Sequence, residues 1–401
     1  MGMNTTPKGE RVHIALFGKR NAGKSSIINK ITGQDLSIVS DVKGTTTDPV
    51  YKAMELLPIG PIMLVDTPGL DDEGKLGEMR MEKTRNVLQK TDIAIIAVDA
   101  SDMEKLEMEH ALAKELKERK IPCLWVFNKA EMLSQRADLE QGMYCSTKTG
   151  EGIEEIKKWL ASQAPKETNR PLVRDLVEQG DLVVLVIPID SAAPKGRLIL
   201  PQQQVIRDLL EKGAIPVVTR EVELESVFHK LSQKPRLVIT DSQAFEQVAK
   251  VTPQEIPLTS FSILMARYKG NLAMLAKNAS KLETLKDGDR ILMAEGCTHH
   301  RQCDDIGRVK IPRWIMQHCG KRLNFEFSSG LEFPYDLSKY KMIVHCGGCT
   351  LNAREMKYRI KCAQDQNIPI TNYGILIAYM QGILHRTVEA FPHIAYLLEE
   401  E

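Results

Sequence analysis

Val12-His13-Ile14-Ala15-Leu16-Phe17-Gly18-Lys19-Arg20-Asn21-Ala22-Gly23-Lys24-Ser25 decides the fold of the first third of the chain. Val12 to Phe17 read as a buried strand. The next eight residues complete the Gly-x-x-x-x-Gly-Lys-Ser pattern, and a helical pattern from Ser26 to Ile31 follows at once. Strand, loop and helix in that order are the context a phosphate-binding loop requires. The backbone N–H groups between Gly18 and Ser26, with Ala22 and Gly23 among them, can wrap phosphates, and the helix N-terminus adds a favourable dipole. Lys24 is expected to reach the β- and γ-phosphates, and the Ser25 hydroxyl to ligate magnesium.

Working outward, the companion elements arrive in the right order. Gly44-Thr45-Thr46-Thr47-Asp48 forms a polar loop, from which Thr46 is expected to complete the magnesium shell. The strand Ile62–Val65 delivers Asp66-Thr67-Pro68-Gly69, where Asp66 can hold magnesium through water and the Gly69 N–H can sense a γ-phosphate. Cys123 to Phe127 delivers Asn128-Lys129-Ala130-Glu131, and a last strand ends at Ser146-Thr147-Lys148. Each candidate lies just past the carboxyl end of a predicted strand, where open α/β sheets bind ligands.

Over residues 10 to 165 these motifs resemble the translation-factor class of small GTPases, especially the Era and MnmE branch. The resemblance implies GTP/GDP and Mg2+ as ligands. It also implies guanine recognition by Asn128, Lys129 and Glu131, with Ser146, Thr147 and Lys148 beside the base or ribose. Glu131 departs from the family's Asp and carries the carboxylate one methylene further out. Leu70 stands where many of these proteins place a water-orienting glutamine, so slow intrinsic hydrolysis is expected. Asn21 resembles the asparagine that recruits K+ in the MnmE branch. Lys24, Asn21 and Thr46 are therefore the expected catalytic residues, with potassium acting as a charge-neutralising element.

Composition bounds the rest. At 401 residues, 43% hydrophobic and 27% charged, the chain has the make-up of a soluble protein of two or three domains. Lys and Arg number 54 against 53 Asp and Glu, and aromatics are 5%, which argues against nucleic acid as a partner. No apolar run approaches the roughly 18–20 residues needed to cross a bilayer. The polar Met1–Arg11 lacks a signal-peptide core, and Gly2 with Thr6 matches only a loose myristoylation pattern. A cytoplasmic protein with reduced thiols, no membrane and no disulfide scaffold is expected. Cys123 and Cys145 read as small core residues, and the other cysteines fall in the last third.

Residues 1–168 are thus read as a phosphate-binding α/β domain ending in a Pro- and Lys-containing linker. From Asp181 a new strand–helix alternation runs through Leu182–Ile187, Pro201–Leu210, Ile215–Thr219, Val222–Leu231, Leu237–Thr240 and Ser242–Lys250. It predicts a smaller parallel sheet over 169–258 that lacks a clustered chemical motif, so a dimerisation role is expected. In its long loop only Asp190, Lys195 and Arg197 are candidates for chemistry, and solvated charges are the commoner meaning. A third α/β unit, 259–401, opens with a helical period over Ser260–Ala276. It continues with strands Arg290–Ala294, Asn324–Phe327 and Met342–Val344, and helices Lys310–Gln317, Arg354–Gln366, Tyr373–Met380 and Ile383–Ala390.

The third unit holds the second chemical signal, Val344-His345-Cys346-Gly347-Gly348-Cys349, paired with Cys297-Thr298-His299. A lone Cys-x-x-Cys fits a zinc half-site, a redox pair or a cluster half-site. Its delivery by a strand, the two intervening glycines and a helix starting near Asn352 favour converging thiolates of lowered pKa. With Cys297 from a second strand end, three thiolates form a plausible cluster cage. Cys303, Cys319 and Cys362 are read as bystanders, and His300 and His318 as surface or supporting residues.

Cys297-x-His299 and, 45 residues on, His345-Cys346-x-x-Cys349 resemble the signature of the HydF family, GTPases that act as scaffold or carrier in maturing iron-only hydrogenase. The resemblance covers the whole chain. It implies a 4Fe–4S cluster on Cys297, Cys346 and Cys349, with the middle domain making a homodimer. It also implies two radical-SAM maturation enzymes and the immature iron-only hydrogenase, recipient of a diiron subcluster, as partners. His299, His345 or Asp304 is the candidate fourth ligand, an exchangeable ligand being equally allowed, and His345 is alternatively a residue that fixes the loop by hydrogen bonds. The competing readings are an Era-like RNA- or ribosome-associated GTPase with a structural zinc, and a Cys346–Cys349 disulfide switch.

Overall fold

The structure, a computed structural model, describes residues 6–33, 49–70, 84, 86–139, 141–164, 171–189, 198–296, 305–330 and 333–399. They divide into two compact units, residues 1–168 and 169–401.

The first unit is a six-stranded sheet of β1 (Val12–Phe17), β2 (Val50–Leu56), β3 (Gly60–Asp66), β4 (Ile93–Asp99), β5 (Cys123–Asn128) and β6 (Met143–Tyr144), in the order β2-β3-β1-β4-β5-β6. Only β2 runs antiparallel to its neighbour. The strands β1 and β4 are apolar at nearly every position because helices cover both sheet faces. One face packs Ile14, Leu16 and Ile95 with Ile27 and Ile31 of the helix Lys24–Thr32; the other packs Phe17, Met63 and Ile96 with Leu112 and Leu116. Strand β2 alternates between exposed and half-buried residues, so no apolar run announces it in the sequence.

The second unit contains two four-stranded sheets, all parallel. One joins β7 (Leu182–Val186), β8 (Ile215–Thr219), β9 (Leu237–Thr240) and β10 (Leu258–Ser260) in the order β10-β9-β7-β8. The other joins β11 (Arg290–Glu295), β12 (Asn324–Ser329), β13 (Met342–His345) and β14 (Ile370–Asn372) in the order β12-β11-β13-β14. The expected boundary between 258 and 259 cuts through β10. The two α/β domains share a continuous core, from Val184 and Phe245 through Phe261 and Leu264 to Met293 and Ile377, and so form one compact unit.

The expected helix over Ser260–Ala276 is two helices, Phe261–Lys269 and Leu272–Lys277. The break falls at Gly270, whose backbone leaves the helical region, and Asn271 then caps the second helix by accepting from the Met274 N–H at 3.2 Å. Ser260 caps the first helix in the same way, accepting from the Ile263 N–H. An apolar period continues across such a break, which is why period alone merges the two helices.

Candidate functional site

The P-loop is built as its residues dictate. Gly18 has φ +142°, and a β-carbon there would lie 2.1 Å from the Ala97 carbonyl oxygen, so only glycine lets the loop cross β4 this closely. The Lys24 ammonium donates to the Gly18 and Lys19 carbonyls at 2.9 and 2.8 Å and closes the loop around its own end. Asn21 sits at φ +60°, at the turn of the loop. The Ser25 hydroxyl donates to Asp66 Oδ2, so the two residues expected at magnesium meet. Burial raises the Asp66 carboxyl above its ordinary range, opposed by the Ser25 bond and by the charges of Lys24 and Lys52. Ser26 follows in the first turn of the helix.

Asn128 does more than face a base. It is buried, its amide donates to the Ala22 carbonyl at 3.3 Å, and its Oδ1 accepts from the Thr147 N–H at 3.2 Å. A single side chain thus holds the P-loop against the Ser146–Lys148 loop. Glu131 lies at the rim, where the Ser146 hydroxyl first, with its own N–H, holds its carboxyl below the usual range, and Lys148 and Lys129 add their charges. Lys129, at φ +66°, is anchored by Asp99 at 2.5 Å. Asp99 went unnoticed in the sequence, although its place at the carboxyl end of β4 is a usable signal. Gly69 follows β3, and Leu70 buries its side chain among Phe17, Met63 and Leu88, so it cannot orient water. Thr46 and its loop lie outside the described residues.

The cysteine site stands at the carboxyl ends of β11 and β13, which are adjacent and pair Ala294 with His345. The Cys346 N–H donates to the Ala294 carbonyl at 2.9 Å, and the Gly296 N–H lies 3.1 Å from Cys346 Sγ. The chain therefore leaves β11 for Cys297 while still in contact with the Cys346 sulfur. Cys297, His299 and Asp304 themselves, with His300 and Cys303, lie outside the described residues. Among the described residues no three His, Cys, Asp or Glu side chains converge as a metal site. What those residues do supply fits a metal–thiolate group: two sulfurs on one turn, with N–H donors on the Cys346 sulfur; in the sequence a third cysteine stands two residues past the end of the neighbouring strand. Gly348, at φ +62°, makes the turn and also donates to Cys346 Sγ, at 3.4 Å.

The expected lowering of the thiol pKa does not hold for the metal-free protein. Burial outweighs the N–H donors and the nearby Arg359 and Lys269 charges, pushing Cys346 up to about 11 and raising Cys349 as well. His345 is fully buried. Its Nδ1 lies 2.8 Å from the Cys346 carbonyl and its Nε2 lies 3.1 Å from Arg359. Arg359 donates in turn to Glu355 at 2.7 Å and to the Gly330 carbonyl at 2.5 Å. Burial first, then the Arg359 charge, lowers His345 to about 3, so it is a neutral ring with Nδ1–H donating and Nε2 accepting. Both nitrogens are engaged, which suits the loop-fixing role rather than that of a fourth ligand. Arg359, Glu355 and Lys269, all buried beside this loop, carry no motif and escaped the sequence reading.

Fold and site define the first unit as a P-loop GTPase domain, and a family model described as "50S ribosome-binding GTPase" matches residues 13–129. Two further models, "Hydrogen maturase F dimerization domain" over 172–270 and "Hydrogen maturase F tetramerization domain" over 273–390, cover most of the second unit. The chain belongs to the hydrogen maturase F family. Its curated relatives include "tRNA modification GTPase MnmE" from Xanthomonas oryzae pv. oryzae (strain PXO99A), 37% identical over 147 residues, which are 36% of this chain and 32% of that protein. The same protein from Legionella pneumophila (strain Paris) is 34% identical over 155 residues, 37% of this chain and 34% of the relative. The chain thus spans about a third of the length of the curated relatives it matches. Similar solved structures include a variant of Aquifex aeolicus Era bound to GDP.AlF4-, with 18% identity, 51% of this chain and 91% of that one covered, and TM-score 0.35. The FeoB G-domain from Methanococcus jannaschii matches at 26% identity, 38% and 98% coverage and TM-score 0.30. No helix among the described residues is long and apolar enough to cross a membrane.

Proposed function

We propose that this protein is a GTP-hydrolysing carrier that holds a 4Fe–4S cluster on Cys297, Cys346 and Cys349 and delivers a diiron precursor to iron-only hydrogenase. The observation that carries the cluster reading is the contact between the Gly296 N–H and Cys346 Sγ, which brings the chain segment leading to Cys297 to the Cys346–Cys349 turn. When bound, the cluster supplies an iron to which a precursor can attach. The protein's own part is to hold the thiolates: Gly296 and Gly348 donate N–H groups to Cys346, and the His345–Arg359–Glu355 network fixes the strand end behind them. His299, Asp304 or an exchangeable ligand completes the fourth position.

In the first domain, Lys24 and the P-loop amides bind the phosphates and Ser25, Asp66 and Thr46 hold Mg2+. Asn128, Lys129 and Glu131 grip guanine. Hydrolysis is slow, because Leu70 has no hydrogen-bonding group, and is raised by K+ held near Asn21. The protein works in the cytoplasm as a homodimer, with two radical-SAM maturation enzymes upstream and the immature hydrogenase downstream.

Anaerobic reconstitution with ferrous iron and sulfide tests the reading. A brown protein with about four irons per chain, lost in Cys297→Ser, Cys346→Ser or Cys349→Ser while GTP hydrolysis persists, supports it. A colourless protein holding one zinc would replace it with a structural metal site.

A further inference from the structure

Lys269 ends the helix Phe261–Lys269 and is 1% exposed, a rare setting for an ammonium group. Its Nζ donates to three carbonyls of one turn: Gly348 at 3.3 Å, Cys349 at 2.9 Å and Leu351 at 2.8 Å. Two of these carbonyls belong to the peptide groups Gly348–Cys349 and Cys349–Thr350. In a trans peptide the N–H points opposite to the C=O. Gathering the carbonyls on Lys269 therefore turns the Cys349 and Thr350 N–H groups the other way, and on the same turn the Gly348 N–H lies 3.4 Å from Cys346 Sγ. The turn is sorted, with its oxygens on a fixed cation and an N–H group on a sulfur. Thr350 reinforces it from the other side, its hydroxyl donating to the Gly296 carbonyl at 2.7 Å. A methionine would fill the same space without the cost of burying an ammonium group.

We infer that Lys269 is a positioning residue for the cysteine site, a fixed cation at the end of the helix Phe261–Lys269 that orients the peptide groups of the Cys346–Cys349 turn so that their N–H dipoles face the metal-bound sulfurs. The metal part of this inference rests on the cluster reading above, whereas the sorting of the turn does not. N–H donors and a nearby positive charge both favour the more reduced, more negative state of a metal–thiolate group. Lys269 thus adds hold and raises potential without touching the metal.

The test uses the full-length protein with Lys269→Met, Lys269→Arg and, as a loop control without charge change, Thr350→Val. In the metal-free protein, amide exchange over residues 346–351 should quicken about tenfold in Lys269→Met; unchanged exchange overturns the inference whether or not a cluster forms. After reconstitution, a chelator should strip iron about 10- to 100-fold faster from Lys269→Met, and its midpoint potential should be more negative. Lys269→Arg keeps the charge but cannot place one nitrogen on three carbonyls, so it should lose iron faster at a near-native potential. Thr350→Val should likewise leave the potential in place. Should Lys269→Met fail to fold, the Arg variant decides: native iron retention and native exchange together overturn the inference. Wild-type protein that takes up no iron overturns the carrier reading alone, because the exchange result still stands.

Discussion

His13 is the second residue of β1, buried, with its Nδ1 2.9 Å from the Arg11 carbonyl. Burial lowers it from 6.5 to about 4, and the Lys90 and Arg11 charges push the same way. The folded domain therefore keeps His13 neutral while the unfolded chain takes a proton as pH falls through 6.5. Its contribution is complete above that pH and is lost progressively down to about 4, a difference of about 3 kcal/mol. Denaturant unfolding of the first domain at pH 7.5 and pH 5 should show about 2 kcal/mol of this loss, and His13→Leu should remove that part of it; equal acid sensitivity in the variant would refute the assignment. At the phosphate end, Ser25→Ala should abolish magnesium-dependent hydrolysis, by about 100-fold or more, and leave the iron content of reconstituted protein unchanged. Loss of both would show that the two sites are not separable. Residues of this kind were legible because Gly18, Lys24 and Ser25 recur at a spacing fixed by phosphate geometry. Arg359 and Lys269 were not, because a buried cation that serves a distant turn leaves no periodic or spaced trace along the chain.

Among the elements, β8 is an edge strand on which Ile215 and Val218 are 49% and 51% exposed. An edge with open N–H and C=O groups and apolar side chains is a template for pairing with another chain. It is the surface expected to carry self-association of this dimerisation domain. Val218→Lys should shift the protein toward monomer in light scattering without lowering the melting temperature; an unchanged mass would place the interface elsewhere. The sequence revealed the longer elements because strands with both faces covered are continuous apolar runs. It concealed β10 and β14, of three residues each, which are too short for any period to register. It also concealed the break at Gly270, where a glycine within an apolar period reads as tolerated until its backbone angles are known.

At the scale of the molecule, Arg386 binds the third domain to the second. It is 9% exposed and donates to the carbonyls of Ala249, Thr252 and Pro253 at 2.9, 2.7 and 3.0 Å. Arg386→Ala strands these acceptors and should lower the stability of the 169–401 unit by about 2–4 kcal/mol, read by denaturant unfolding. The transition of that unit should stay single, because one core spans both sheets; two separated transitions would contradict it. Ser260 shows the same continuity along the chain, since it is both the last residue of β10 and the cap of the helix that ends at Lys269. No linker separates the sheet edge from the cysteine turn. The consequence concerns divisibility. A cut at residues 270–273, where sequence families divide the chain, would strip the cysteine turn of its cation and leave a bare apolar flank on each fragment. The two halves are therefore best treated as a single inheritable part, to be transplanted, truncated or fused only together.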